Sequence, residues 1–418
     1  MILLSHPTGN RNVRALLTGL EQAGKLASFQ TTLAVQQANR WYFSLVPQAL
    51  KQQLLRRSYD LPEATIALRP LRELVRLMAP KLRANFLVTH ESGWASVDSV
   101  YQDLDRHVAN QLKSQFNLQR DSIKHQISGV YCYEDAALQT FRTAKEIGLK
   151  CFYDLPIAYW ETSQQLLHHE VERFPEWKRT LAGIRNSPTK LERKTAELAL
   201  ADVVICPSKF VYNSLPATIR QSKKSIVAEF GSPIHQIHSQ KSQNPKLPLR
   251  VLFVGSMSQR KGLADLFTAM KLLHRPDVEL VVMGSPVVEM DFYHQQLSSF
   301  IYEPTRPHQA VLKLMQSCDV FVLPSIVEGR ALVQQEAMSC GLPLIVTPNA
   351  GGEDLIEEGR TGFLVPIRSP EKIAEKIAWF ADHRDRLAEM GQLAREKAAQ
   401  VTWETYCQKI LGVIGMVL

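Results

Sequence analysis

The feature that most limits the fold is an alternation of short β-rich runs with amphipathic stretches along nearly the whole chain. The runs are Met1–Leu4, Thr31–Val35, Ala64–Leu68, Gly129–Tyr133, Lys150–Asp154, Asp202–Cys206 and Ser225–Glu229. Helical patterns lie between them, for example Asp135–Ile147 and Leu191–Leu200. This alternation predicts an α/β chain with a mainly parallel sheet. A polar stretch, SPIHQIHSQKSQNPKLPLR, then interrupts it with Pro233, Pro245 and Pro248 and reads as a linker. A second series follows: Arg250–Val254, Glu279–Met283, Ser299–Ile301, Val320–Leu323 and Leu344–Val346. A length of 418 residues suits two domains, each with its own core. The expected organisation is two Rossmann-like halves facing each other across a cleft. Residues 1–235 form the first, 236–249 a linker, 250–402 the second, and 403–418 a terminal helix.

Composition narrows the classes of function. No apolar run approaches the ~20 residues needed to span a bilayer. The opening MILLSHPTGN reads as a first strand rather than a signal peptide. Cys132, Cys151, Cys206, Cys318, Cys340 and Cys407 are far apart, with no CxxC pair, and read as buried free thiols in a reducing cytoplasm. Net charge is +8. Part of the excess lies in segment 47–83, where Leu71, Leu74, Val75 and Met78 recur at helical spacing beside a basic face. Two readings stay open there. One is an ordinary domain helix with a solvated charged face; the other is docking on an acidic glycan or on the inner face of the cell membrane. No binding motif accompanies the charge, so nucleic acid is not an expected partner.

Chemistry concentrates in PSIVEGRALVQQEAMSCGLPLIV. The preceding Asp319–Pro324 reads as a buried parallel strand, and Arg330–Cys340 as a helix closed by Gly341. Glu328 then lies in a loop at a strand's carboxyl end, where α/β sheets bind ligands. Glu336 lies about two turns into the helix. Gly329, Arg330, Ala331 and Leu332 place backbone N–H groups at a helix start, which favours an anion. Upstream, GSMSQRKG follows the strand Val251–Val254 and brings Gly255, Ser256, Arg260 and Lys261 to one turn. Glycine, cations and a helix start suit a diphosphate. The plainer reading has both cations coating the first turn of a surface helix.

In order along the chain, FVGSMSQRKG, DVFVLPS, EGRALVQQEAM, GLPLIVT, GGEDLIEEGRTGFLV and VTWETYCQKIL resemble the family-4 retaining glycosyltransferases with their E-x₇-E signature. The resemblance covers about Arg250 to Trp403 and is looser before it. It implies the GT-B fold, in which the terminal helix crosses back to the first domain. It implies Glu328 at the transferred sugar, Glu336 on the ribose hydroxyls, and Lys261 on the diphosphate of a UDP- or GDP-sugar; Arg260, just before it, is the candidate to supply the guanidinium missing at Ser256, from a different backbone position. No cofactor and no metal site are expected. The chain departs from the family at Ser256, where arginine is usual, and at Arg330 and Ala331, where an aromatic residue and glycine are usual. Asp154 stands where a histidine is frequent. It either meets a sugar hydroxyl or an acceptor, or makes the turn before Leu155-Pro156. The loop SHPTGNRNV offers Thr8, Gly9 and Asn10 to the donor phosphate and acceptor, with Asn10 as a helix cap the alternative. His90 reads as structural. His168, His169 and Glu170 read as a solvated face, because adjacent side chains on a helix diverge.

The expected function is transfer of a sugar, with retention, from a nucleoside-diphosphate sugar to a hydroxyl of a glycan, lipid-linked or small-molecule acceptor, as in cell-surface polysaccharide or glycolipid synthesis. The alternative is a catalytically degenerate relative that binds nucleotide-sugar as a scaffold subunit. A nicotinamide oxidoreductase ranks low, since no GxGxxG follows a strand.

Overall fold

The computed structural model describes residues 1–35, 57–118, 127–233 and 247–418. Linker residues 236–246 and the first part of the basic segment, 47–56, lie outside the described residues. The first half holds β1 (Ile2–Ser5), β2 (Leu26–Thr31), β3 (Ile66–Leu68), β4 (Gly129–Tyr133), β5 (Lys150–Asp154), β6 (Val203–Cys206) and β7 (Lys224–Val227). They form one parallel sheet in the order β3-β2-β1-β4-β5-β6-β7. The second half holds β8 (Leu249–Val254), β9 (Val278–Met283), β10 (Ile301–Glu303), β11 (Val320–Leu323), β12 (Leu344–Val346) and β13 (Gly362–Leu364). Its sheet is also parallel, ordered β10-β9-β8-β11-β12-β13. Runs such as VVIC in β6 and VFVL in β11 are buried at every residue, as a sheet covered on both faces requires.

Each sheet reverses its winding once, between β1 and β4 and between β8 and β11. At such a switch point the connections leave toward opposite faces and open a crevice beyond the strands' carboxyl ends. The segments that follow these four strands begin at His6, Glu134, Gly255 and Pro324. The fold therefore sends the SHPTGN, GSMSQRKG and PSIVEG loops to the two crevices.

Among the described residues, two ties between the halves reach into a core. The terminal helix, Trp403–Val417, buries Tyr406, Ile410, Val413 and Ile414 in the first half's core, among Val13, Leu16, Leu17 and Leu20 of the first helix, Arg11–Gln22. A strap runs the other way. After the helix Trp160–Arg173, the turn Pro175–Thr180 carries Trp177 into the second half's core. Its ring lies edge-on to Phe267, Phe292 and Tyr293, with centroids 5.9, 5.0 and 5.8 Å away.

Several elements differ from the sequence expectation. β2 ends at Thr31 instead of starting there, because Ser28 and Gln30 disguise its inward alternation; Gln30 is buried. β10 begins where Ser299–Ile301 was expected to end. The helix expected over Asp135–Ile147 spans Leu138–Glu146. Ahead of it, Asp135 adopts a left-handed φ of 69°, and Glu197 accepts the N–H groups of Asp135 and Ala137 at 2.9 and 3.2 Å. The predicted helix at Leu71–Met78 forms, but with its faces exchanged: Leu71, Leu74 and Met78 are exposed while Glu73 is buried. All six cysteines are buried free thiols.

Candidate active site

β8 ends at Val254, and Gly255 carries the chain into the crevice, its N–H bonded to the Met283 carbonyl at 3.0 Å. The Ser256 hydroxyl pairs with the neighbouring Ser258 hydroxyl, at 3.3 Å, and brings no cation. The next turn, Gln259–Lys261, does. Arg260 Nη1 donates to Glu328 at 3.0 Å and to the Val327 carbonyl at 3.0 Å, and Lys261 Nζ also donates to Glu328. In return, Ile326 N–H bonds the Arg260 carbonyl at 2.9 Å, so the two loops brace each other. Burial alone would raise the Glu328 pKa. Lys261 and then Arg260 outweigh it and pull the carboxyl down to about 2, so Glu328 is ionised. Burial pushes the Lys261 ammonium down, Glu328 opposes that, and Arg260 adds to it.

Beyond Glu328 the chain passes close to the other half. A Cβ on Gly329 would stand 1.8 Å from the Pro156 carbonyl oxygen, so only glycine fits. Ser208, in the SKF stretch after β6, donates to the Gly329 carbonyl at 2.7 Å. The helix starts later than expected, at Leu332 instead of Arg330. Ala331 is extended, and its N–H is taken by the Ala350 carbonyl at 3.2 Å. Leu332 and Val333, in the first turn, are the residues whose N–H groups lack an intrahelical acceptor. Arg330 does not turn toward the crevice. Its side chain is buried, with both terminal nitrogens on Asp354 at 2.6 and 3.0 Å and further bonds to Gln335 and the Gly351 carbonyl. The pinned guanidinium explains the late helix start.

Glu336 meets the first half directly. Arg11 Nη1 is 3.2 Å from its Oε1, and His308 Nδ1 3.7 Å. Burial raises the Glu336 pKa and Arg11 counters it. Arg11 lies just after the first loop, in which His6 is buried and its Nδ1 accepts the N–H groups of Gly9 and Thr8 at 2.8 and 3.1 Å. Burial, then Arg57, lowers the His6 pKa to about 3, which keeps the ring neutral and able to accept. Gly9 sits at φ 59°, and Asn10 precedes the first helix without a side-chain cap. These residues form the first half's wall of the crevice.

Asp154 is the last residue of β5. Its carboxyl is buried, with Asn12 Nδ2 at 3.5 Å. Burial raises its pKa to about 7, the Tyr131 hydroxyl lowers it somewhat, and Glu134 adds to the rise. The group is buried, so it does not make a surface turn. His90 is exposed beside Glu91. Glu170 is buried and takes Arg173, Gln259 and Arg368, while His168 and His169 are exposed. Among the described residues no group of three His, Cys, Asp or Glu side chains is arranged to hold a metal.

Sequence reasoning named Lys261, Arg260 and Glu328, which meet directly, and also Glu336 and Gly9, of which Glu336 pairs with Arg11 next to the Gly9 loop. It missed Arg11, Ser208, His6 and Gln259. Ser208 had a signal in the SKF stretch, and Arg11 one in its place next to the Gly9 loop. His6 and Gln259 act through buried bonds that leave no local pattern.

Two parallel sheets with their crevices opposed, and a terminal helix returning to the first half, define a GT-B protein. Over the full chain the fold matches sucrose-phosphate synthase from Thermosynechococcus elongatus, with a TM-score of 0.65 at 15% identity, covering 100% of this chain and 98% of that one. It matches Anabaena Alr3699/HepE in complex with UDP and glucose at 0.60 and 17%, covering 100% and 99%. Residues 235–397 match the family described as glycosyl transferases group 1. A putative colanic acid biosynthesis glycosyltransferase, WcaL, of Salmonella typhimurium is 30% identical over 193 residues, 43% of this chain and 47% of that protein. The D-inositol 3-phosphate glycosyltransferase of Paenarthrobacter aurescens is 29% identical over 183 residues, 39% and 45%. The chain spans about half the length of the curated relatives it matches.

Proposed function

We propose that the protein is a retaining glycosyltransferase of family-4 type, which moves a sugar from a UDP- or GDP-sugar to an acceptor hydroxyl. The observation that carries this reading is the convergence of Lys261, Arg260 and Glu328 from two loops of one switch point, with Glu336 on the helix that follows. The two cations suit the diphosphate. The difficult step places charge on that leaving group while the sugar becomes cation-like, and fixed ammonium and guanidinium groups stabilise it without reorganising. Glu328, held ionised, stands where it can balance those cations and meet the sugar. Glu336 suits the vicinal ribose hydroxyls, with Arg11 as the group that releases or shares it. The contact of Gly329 with Pro156 and Ser208 brings the halves together around the crevice and limits water. HepE with bound UDP-glucose, which shares the fold, is consistent with a nucleotide-sugar ligand.

A nucleotide-sugar-binding subunit without turnover is the second reading, favoured by the uncharged Ser256 and the inward Asp154. A thermal-shift panel of UDP- and GDP-sugars, followed by turnover assays, separates the two. The transferase reading expects stabilisation by one donor class and transfer or slow hydrolysis of it. It also expects Lys261→Ala to cut turnover by more than about tenfold and Glu336→Ala to weaken donor binding by about tenfold. Binding without turnover supports the scaffold, and unchanged kinetics in both variants removes the site.

A further inference from the structure

Segment 68–97 is built inside out. More than half of the exposed large apolar side chains among the described residues fall within it. Leu71, Leu74 and Met78 share one face of their helix by spacing and are 62%, 44% and 39% exposed. Leu68, before the helix, and Leu82 and Phe86, after it, are also exposed, the last two at 70% and 72%. The opposite, inward position is Glu73, buried and ion-paired with Arg57 and Arg76. An amphipathic helix with its carboxylate inside and its leucines outside gains nothing from water, and patches of this kind mark interaction surfaces.

The charge around the patch is basic. Lys81 and Arg83 are exposed and form no ion pair with a described residue. Arg72 lies 4.7 Å over the Trp94 ring, an amphipathic pair suited to a lipid–water boundary. A second copy of this chain is a poor partner. A two-fold contact through this face would bring like basic residues together.

The patch also has a fixed relation to the crevice. Leu68 ends β3 beside Thr31, and Arg69 N–H bonds the Thr31 carbonyl at 2.9 Å, on the same sheet edge where His6 N–H bonds Gln30 at 3.0 Å. Arg57 links Glu73 to the Thr32 hydroxyl at 3.1 Å, and that hydroxyl donates to the Pro7 carbonyl at 2.5 Å. A rigid chain of polar contacts thus runs from the helix to the first loop.

We propose that Leu68–Phe86 docks on an anionic phospholipid surface. The apolar side chains enter the headgroup boundary, and Lys81 and Arg83 meet lipid phosphates. Docked this way, the protein holds the first half's side of the crevice at the membrane. The inference does not depend on glycosyl transfer.

The test is vesicle co-sedimentation of the full chain with phosphatidylglycerol-containing and pure phosphatidylcholine vesicles, at about 0.15 M and about 0.5 M salt. The expected result is binding to anionic vesicles, weakened at least about tenfold by neutral lipid, by high salt, by Leu71→Glu with Leu74→Glu, and by Leu82→Ser with Phe86→Ser. Melting temperature and the donor-induced thermal shift stay unchanged in both double variants. The proposal is overturned by no binding, by equal binding of the variants, or by a concentration-dependent dimer that the same substitutions dissociate.

Discussion

Asp154 shows how far a residue's meaning depends on its surroundings. The end of β5 is a ligand-binding position in this architecture, yet the carboxyl is turned inward beside Asn12 and Tyr131. Its folded pKa, about 7, lies above the ordinary value of 3.8. Between those values the unfolded chain ionises there and the folded protein does not, so rising pH favours unfolding. This group's penalty is absent below about pH 4, grows toward pH 7 and is constant above. Asp154→Asn removes it. The variant should gain up to roughly 4 kcal/mol over the parent at pH 8 and nothing at pH 4. Paired melting curves across that range check it, and a difference that does not change with pH contradicts the assignment. Glu328 is the reverse case: a buried carboxyl held ionised by Lys261 and Arg260.

The loops after β8 and β11 act as one element, because backbone bonds from Ile326 and Val327 to the Arg260 carbonyl join them. Gly329 is where that element touches the first half. Gly329→Ala puts a methyl 1.8 Å from the Pro156 oxygen, and backbone on both sides leaves no flexible neighbour to yield. The crevice must open slightly. Overpacking of this kind costs about 1–3 kcal/mol. The variant should melt earlier, show a larger radius of gyration by solution scattering, and raise KM for the donor more than it lowers kcat. An unchanged radius and KM would show that the contact does not set the closure. The start of the Leu332–Ser339 helix carries the same lesson about legibility. Its apolar pattern was readable, but its first turn was not, since Arg330 is drawn away by Asp354, 24 residues on.

At the scale of the molecule the two halves exchange anchors. The terminal helix packs on the first core, and Trp177 fills the second. Around the strap, Glu170 and Asp265 share the Gln259 amide at 2.6 and 2.7 Å, and Arg173 bridges both carboxylates. Gln259 immediately precedes Arg260 and Lys261, so the strap also fixes the cationic turn. Trp177→Ala empties a buried site and should destabilise by about 3–5 kcal/mol. Hydrogen exchange should then rise together in residues 160–180 and 259–297. Faster exchange in only one of these segments would show that the strap does not couple the halves.

The alternation of apolar runs determined two parallel sheets, and parallel sheets of this winding determined where the loops gather. The glycine–cation and glutamate motifs then marked the second half's crevice, because local spacing alone sets which residues share a turn or a helix face. The tertiary structure decided the rest. It turned Arg330 and Asp154 inward, brought Arg11 to Glu336, sent Trp177 into the other core, and put Leu71 and Leu74 outside with Glu73 within. Each of these depends on a partner distant in sequence. Periodicity reports that a helix has two unlike faces, but only the packed neighbours decide which face is inside.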